Sequence, residues 1–203
     1  MTLIGIEGPA LAGKSSVIRE IAHLAISSKI EMSLVPCYVE YAVQKRTPIP
    51  PPSASTRNEA LLNLNGFFRL DRLRFPHEPL GVTLLDRTPA TFVAHSIATA
   101  ALGAADVRAE ANTFLHEAKR EGRLPKLTFF LQLDHETQLS RSLSRPPMPE
   151  LFLNSAFNAE FESYFLAEVL DPRDGVEYVI LSGEDDPEKN ARHILAHIRN
   201  MVK

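Results

Sequence analysis

Apolar residues change their spacing along the chain, and that change orders most of the elements. Residues 3–6 (Leu-Ile-Gly-Ile) form a short apolar run that ends at Glu7 and Gly8, as in a strand buried on both faces. Val17, Ile18, Ile21, Leu24 and Ala25 then recur at helical spacing, so a helix over 14–27 follows the strand across a glycine turn. Residues 33–41 (SLVPCYVEY) read as a second strand, near a sheet edge because Pro36 cannot donate to a ladder. A helix is expected over 58–74 from Leu61, Leu62, Leu64, Phe68, Leu70 and Leu73, stopping before Pro76. A compact strand at 82–85 runs into Asp86-Arg87, and two helices follow over 89–102 and 106–120. LTFFLQL at 127–133 has the plainest strand pattern, with Asp134 as N-cap of the next helix. That helix breaks at Pro146-Pro147, helical spacing resumes over 157–170, and a strand at 177–181 and a helix at 187–201 complete the chain. Strands alternating with helices imply a parallel sheet covered on both faces.

Length and composition narrow the class. At 203 residues the chain makes one domain with insertions, taken as 1–203. A net charge of −3 gives no general attraction to a nucleic acid polymer or an anionic membrane, and no apolar run reaches the roughly 20 residues that span a bilayer. One cysteine, Cys37, excludes an internal disulfide framework, and the seven histidines show no metal-ligand spacing. With no export signal in the first residues, the cytoplasm is the expected location.

The chemistry is concentrated in Gly8-Pro9-Ala10-Leu11-Ala12-Gly13-Lys14-Ser15, which satisfies G-x-x-x-x-G-K-[ST] and lies between a strand and a helix. Glycines there let backbone amides close around a phosphate chain, and the helix N-terminus adds positive potential. Lys14 would reach the outer phosphates, with Ser16 beside the loop; Ser15 would ligate magnesium. The expected fold is therefore the three-layer α/β fold of P-loop nucleoside triphosphatases, with about five parallel strands and a small lid. ATP and Mg²⁺ are the expected cofactors. Asp86 stands where a carboxylate can hold the metal and Arg87 where a guanidinium can clamp a phosphate. Arg141 and Arg145, one helical turn apart before the proline break, mark a lid at about 141–150.

Ile6-Glu7-Gly8 leading into Gly13-Lys14-Ser15, the strand end Asp86-Arg87 and the stretch LTFFLQLDHETQLSRSLSR together resemble the thymidylate kinase and deoxynucleoside kinase superfamily. The resemblance runs in order along nearly the whole chain. Asp134, Glu136 and Thr137 match its last strand and lid helix, and Arg141 and Arg145 its lid arginines. It departs at Asp86-Arg87-Thr88, where thymidylate kinases have Asp-Arg-Tyr, and at Glu40-Tyr41 in place of Glu-Pro. The helix NEALLNLNGFFRLDRLRF resembles the substrate helix of deoxynucleoside kinases, with Asn65 at the base-reading position.

These features imply a kinase that moves a γ-phosphoryl group to a nucleoside or a nucleoside monophosphate. A hydroxyl acceptor needs a base, for which Glu40 matches the family's place; a phosphate acceptor needs clamps, for which Arg46, Arg69, Arg72 and Arg87 are candidates. Acceptor binding is expected over about 40–74, through Glu40, Asn65, Phe68, Arg69, Arg72 and Arg87, with Phe67 and Phe68 available to stack and one of them in the core. The proline-rich loop around Pro48 and Pro50 to Pro52, with the altered triplet, keeps open a non-nucleoside metabolite or antibiotic hydroxyl. A regulatory nucleotide switch is a third reading, without the Asn-Lys-x-Asp signature of a GTPase. A homodimer stays open.

Overall fold

The structure, a computed structural model, describes residues 2–75, 81–171 and 175–201. Five parallel strands stand in the order β2-β3-β1-β4-β5: β1 Thr2–Glu7, β2 Met32–Val35, β3 Val82–Asp86, β4 Leu127–Gln132 and β5 Glu177–Ser182. The helices are α1 Lys14–Ser27, α2 Tyr38–Lys45, α3 Arg57–Arg74, α4 Ala90–Ala101, α5 Arg108–Arg120, α6 His135–Ser142, α7 Ser155–Leu170 and α8 Pro187–Met201, with a short 3₁₀ turn at Glu150–Leu153. Because β1 is central, the connections leaving it and β3 diverge, and the crevice beyond those carboxyl ends is where an open α/β sheet takes a ligand.

Side-chain alternation along β4 feeds two cores. Phe129 packs with Ile4, Ile21 and Ile194 beneath α1 and α8, whereas Phe130 packs with Phe92, Phe114 and Phe165 beneath α4, α5 and α7. Helix starts are set locally. Thr56 and Glu59 form a reciprocal capping box on α3, and Asp134 accepts the Thr137 amide at 2.8 Å to start α6. No helix among the described residues is long and apolar enough to cross a membrane.

The second strand departs from expectation. It ends at Val35, and the remainder of the expected strand turns into α2. Pro36 has no amide to extend the ladder, the extended Cys37 caps the helix through its thiol (3.4 Å from the Glu40 amide), and Tyr38 and Ala42 are buried one turn apart. Glu40 therefore stands in the first turn of α2 and not at a strand end. On α3 the helix closes at Arg74, as its pattern predicts; Pro76 lies outside the described residues.

A buried ionic network ties α3 to these strand ends. Arg74 donates to the carbonyls of Pro36 (2.9 Å), Asp86 (2.9 Å) and Arg87 (2.6 Å), and its guanidinium lies 3.8 Å over the Tyr38 ring. Asp71, fully buried, answers the charge at 3.1 Å, pairs with Arg123, and accepts the Tyr38 hydroxyl at 3.0 Å. Asp71→Ala leaves two buried guanidinium groups without their carboxylate, which costs about 3–5 kcal/mol. Urea unfolding should show a lower midpoint with an unchanged slope, and a loss under about 1 kcal/mol would mean the charges find other partners.

Candidate active site

The loop between β1 and α1 is built by its backbone. Gly8 adopts φ +141°, where an added Cβ would lie 2.4 Å from the Leu131 carbonyl, and Gly13 adopts φ +91° as the N-cap of α1. No side chain caps α1; Ser16 and Val17 donate their amides to Gly13 O at 3.0 Å, which leaves the Lys14 and Ser15 amides open to an anion. Two loop carbonyls are held from α6: Gln138 donates to Ala10 O and Arg141 to Leu11 O, each at 3.0 Å, and Arg141 also reaches Gly183 O at 3.0 Å. Leu11 itself sits at φ +66°, a strained conformation that those contacts help fix.

Lys14 lies back on its own loop, donating to Gly8 O (3.0 Å) and Pro9 O (2.7 Å). Desolvation, and then the nearby Arg87 guanidinium, lower its pKa to about 7. Facing it, Asp86 at the end of β3 is 6% exposed, and its Oδ1 has no hydrogen-bond partner among the described residues. Burial raises this carboxyl, with the charges of Lys14 and Arg87 opposing. An orphaned carboxylate oxygen close to the Ser15 end of the loop fits a hard divalent cation such as magnesium. Carboxylate oxygens of Asp86 and Glu40 and the Cys37 sulfur all lie within 4.8 Å of one another, so α2 brings Glu40 to the carboxyl end of β3.

Arg87 takes φ +74°, and its amide donates to Ile6 O at 3.1 Å. Its guanidinium is 3.3 Å from the Glu7 carboxylate and 5.6 Å from the Phe161 ring. Glu7 is wholly buried and accepts from the Thr88 amide (2.6 Å), the Thr88 hydroxyl (2.9 Å) and the Thr91 hydroxyl (2.6 Å). One carboxylate thus fixes both the guanidinium and the turn that carries it.

From this cluster a cavity of about 520 Å³ runs between α3, α4 and α7 and beneath the Pro50–Pro52 loop. Its walls include Tyr38, Phe67, Phe92, Phe157 and Phe161. The loop over 8–16, Asp86 and Arg87 meet at the carboxyl ends of β1 and β3, with Glu40 beside them. Four residues of α3 do not. Asn65, Phe68, Arg69 and Arg72 line a separate surface depression: Arg72 pairs with Glu117 at 2.8 Å, and Phe68 stacks on Phe114 at 3.7 Å. Residues 65, 69 and 72 form their own i, i+4, i+7 stripe, whereas Ala60, Asn63, Leu64 and Phe67 face the cavity. Arg46 ends α2 exposed at φ +52°, and Arg145 is exposed between α6 and the 3₁₀ turn. Glu7, Tyr38, Asp71 and Arg74 had no assigned role from sequence; only Glu7, an acid at the end of an apolar run, offered a signal there.

No protein-family model matches the chain, and no curated protein matches it. Solved structures do. A deoxyadenosine kinase from M. mycoides with the products dCMP and a flexible dCDP bound has a TM-score of 0.63 at 16% identity, covering 98% of this chain and 100% of its own. The same enzyme with bound dCTP has a TM-score of 0.61 at 15% identity over the same spans. The chain has the fold of a deoxynucleoside kinase. In this chain the glycine loop, through Pro9, Ala10, Lys14 and Ser15, forms one end of the cavity.

A triphosphate beside Lys14 should restore its ammonium form. Because the free lysine is largely neutral at pH 8, ATP binding at that pH should take up close to one proton, read as a dependence of calorimetric heat on buffer ionisation enthalpy. Lys14→Met should abolish the uptake; heats independent of buffer in the wild type would contradict the assignment.

Proposed function

We propose that the protein is an ATP- and magnesium-dependent kinase that transfers the γ-phosphoryl group to a hydroxyl of a small uncharged acceptor. A (deoxy)nucleoside and a non-nucleoside alcohol are the two acceptor classes this reading admits. The observation that carries it is the pair of carboxylates, Glu40 and Asp86, meeting within 4.8 Å at the phosphate end of a cavity whose only charged lining residues, among those described, are Lys14, Asp86 and Arg87. A nucleoside monophosphate would bring a dianion toward two carboxylates with no spare cation, since the two cations that line the cavity, Lys14 and Arg87, serve the donor and the transferring group. Arg69 and Arg72, which could have clamped it, belong to the separate depression.

The open amides of α1 and Lys14 bind the donor's phosphates, while Gln138 and Arg141 keep the loop carbonyls turned outward. Ser15 and Asp86 would hold magnesium, which neutralises charge on the phosphate chain. Glu40, freely solvated on one side, accepts the acceptor's hydroxyl proton as its oxygen bonds to phosphorus, and Arg87 stabilises the charge on the transferring group. The exposed segment 143–149, with Arg145, acts as the lid.

Lys14→Ala should lower turnover at least about a hundredfold with the fold unchanged, since this charge compensation grows in the transition state. Glu40→Gln should keep acceptor KM near wild type and lower kcat by about a hundredfold, measured as acceptor-dependent ADP release. Turnover of Glu40→Gln within about threefold of wild type would remove Glu40 as the base and return a phosphate acceptor to first place.

A further inference from the structure

Past the phosphate end, the cavity changes character. Its three charged groups are all beside the loop, and most of the remaining wall is proline, aliphatic and aromatic carbon, with a few neutral polar side chains between. On one side Tyr38, Phe67 and Phe92 form a ring cluster with centroids 4.7–6.3 Å apart. On another, Phe157 and Phe161 stack at 6.1 Å with 20° between their planes. Such walls take the faces of a ring system, and cavities of this size hold ligands of several rings' volume.

The polar groups along the wall are mostly engaged. Asn63 Nδ2 donates to Ser53 O (3.2 Å), Thr99 to His95 O (2.9 Å), Thr91 to Glu7 (2.6 Å), and Asn158 Nδ2 to Gln138 Oε1 (2.8 Å) and Phe152 O (3.1 Å). The open capacity is limited to two amide oxygens, one N–H of Asn63, the Ser53 and Ser96 hydroxyls and the His95 ring, whose nitrogens have no hydrogen-bond partner among the described residues. His95 lies edge-on to Phe157 (5.3 Å) and Phe152 (6.4 Å). Burial, with the Arg87 charge, lowers its pKa to about 4, so the ring is neutral and offers one donor and one acceptor.

A nucleobase carries hydrogen-bonding groups around its edge, and each one buried without a partner costs about tenfold or more in affinity. A wall this poor in free partners is matched instead by a ring with few of them. We propose that the acceptor is an uncharged alcohol carried on an apolar aromatic or alicyclic ring system, and that one neutral polar group on that ring meets His95. This rests on the phosphotransfer reading above and narrows its acceptor. The hydroxyl proton goes to Glu40, the acceptor oxygen bonds to the γ-phosphorus, and ADP leaves with the bridging oxygen.

The test compares acceptors on the wild-type protein. ADP release is measured with deoxyadenosine, deoxycytidine and thymidine, and with primary alcohols on naphthyl and decalin rings, each with and without one ring hydroxyl. The best ring alcohol should exceed the best nucleoside at least about tenfold in kcat/KM. His95→Phe should raise KM about tenfold more for the hydroxylated ring alcohol than for its unsubstituted partner; a purely structural role would move both alike and overturn the assignment of His95. A nucleoside as the best acceptor overturns the acceptor class, and so does release by none of the alcohols. ATP binding that depends on Lys14, read by calorimetry in the same preparations, shows in either case whether the donor site stands.

Discussion

Arg74 holds the site together from outside it. One guanidinium, buried and neutralised by Asp71, bonds the carbonyls at the end of β3 and at the β2–α2 junction. Those two junctions carry Asp86 and Arg87 on one side and Cys37 to Glu40 on the other. Their separation is therefore set by hydrogen bonds to one rigid planar group, whose five donors lie in fixed directions. Burying such a charge is costly unless its partners are complete, and here the backbone carbonyls, the Tyr38 hydroxyl and the Asp71 carboxylate complete them. Arg87 can persist at φ +74° because the carbonyl of that same residue is one of the bonds made.

Electrostatics at the phosphate end follow from burial. Lys14, Asp86, Arg87 and Glu7 are crowded into one low-dielectric region, where Lys14 is pushed toward neutrality and Asp86 toward protonation. Each shift marks a charge with too little compensation inside the protein. A triphosphate and a divalent cation would supply opposite signs to those two residues and relieve both shifts. Glu7 is the counterweight, satisfied by two threonines and Arg87.

How much was legible in the sequence depended on how local the cause was. The strand-loop-helix of residues 3–27 could be read because hydrophobic period, glycine placement and the Lys14-Ser15 pair all act within one short segment. The caps at Asp134 and the end of α3 are local for the same reason. The stretch 33–41 misled because its apolar residues fit both periods, and only Pro36 with the Cys37 cap decides for a helix. On α3 the residues were right in kind, but the rotation of the helix was unknown. Its packing on α4 and α5 turns Phe67 to the cavity and sends Asn65 and Arg72 outward. Glu7, Asp71 and Arg74 were illegible because their partners lie far away in the chain; Glu7 meets Thr88 and Thr91 across the sheet, and Arg74 reaches Pro36 and Asp86.

With a donor loop and an acceptor cavity meeting at Glu40 and Asp86, phosphorus would pass to a hydroxyl and not to water. The most direct measurement follows the phosphoryl group itself. ATP labelled with heavy oxygen on the non-bridging γ positions is turned over with the best acceptor, and the products are resolved by mass spectrometry. The label should appear in a phosphate monoester of the acceptor, in equal amount to the ADP formed. Label found only in inorganic phosphate, at the same rate with and without acceptor, would contradict it.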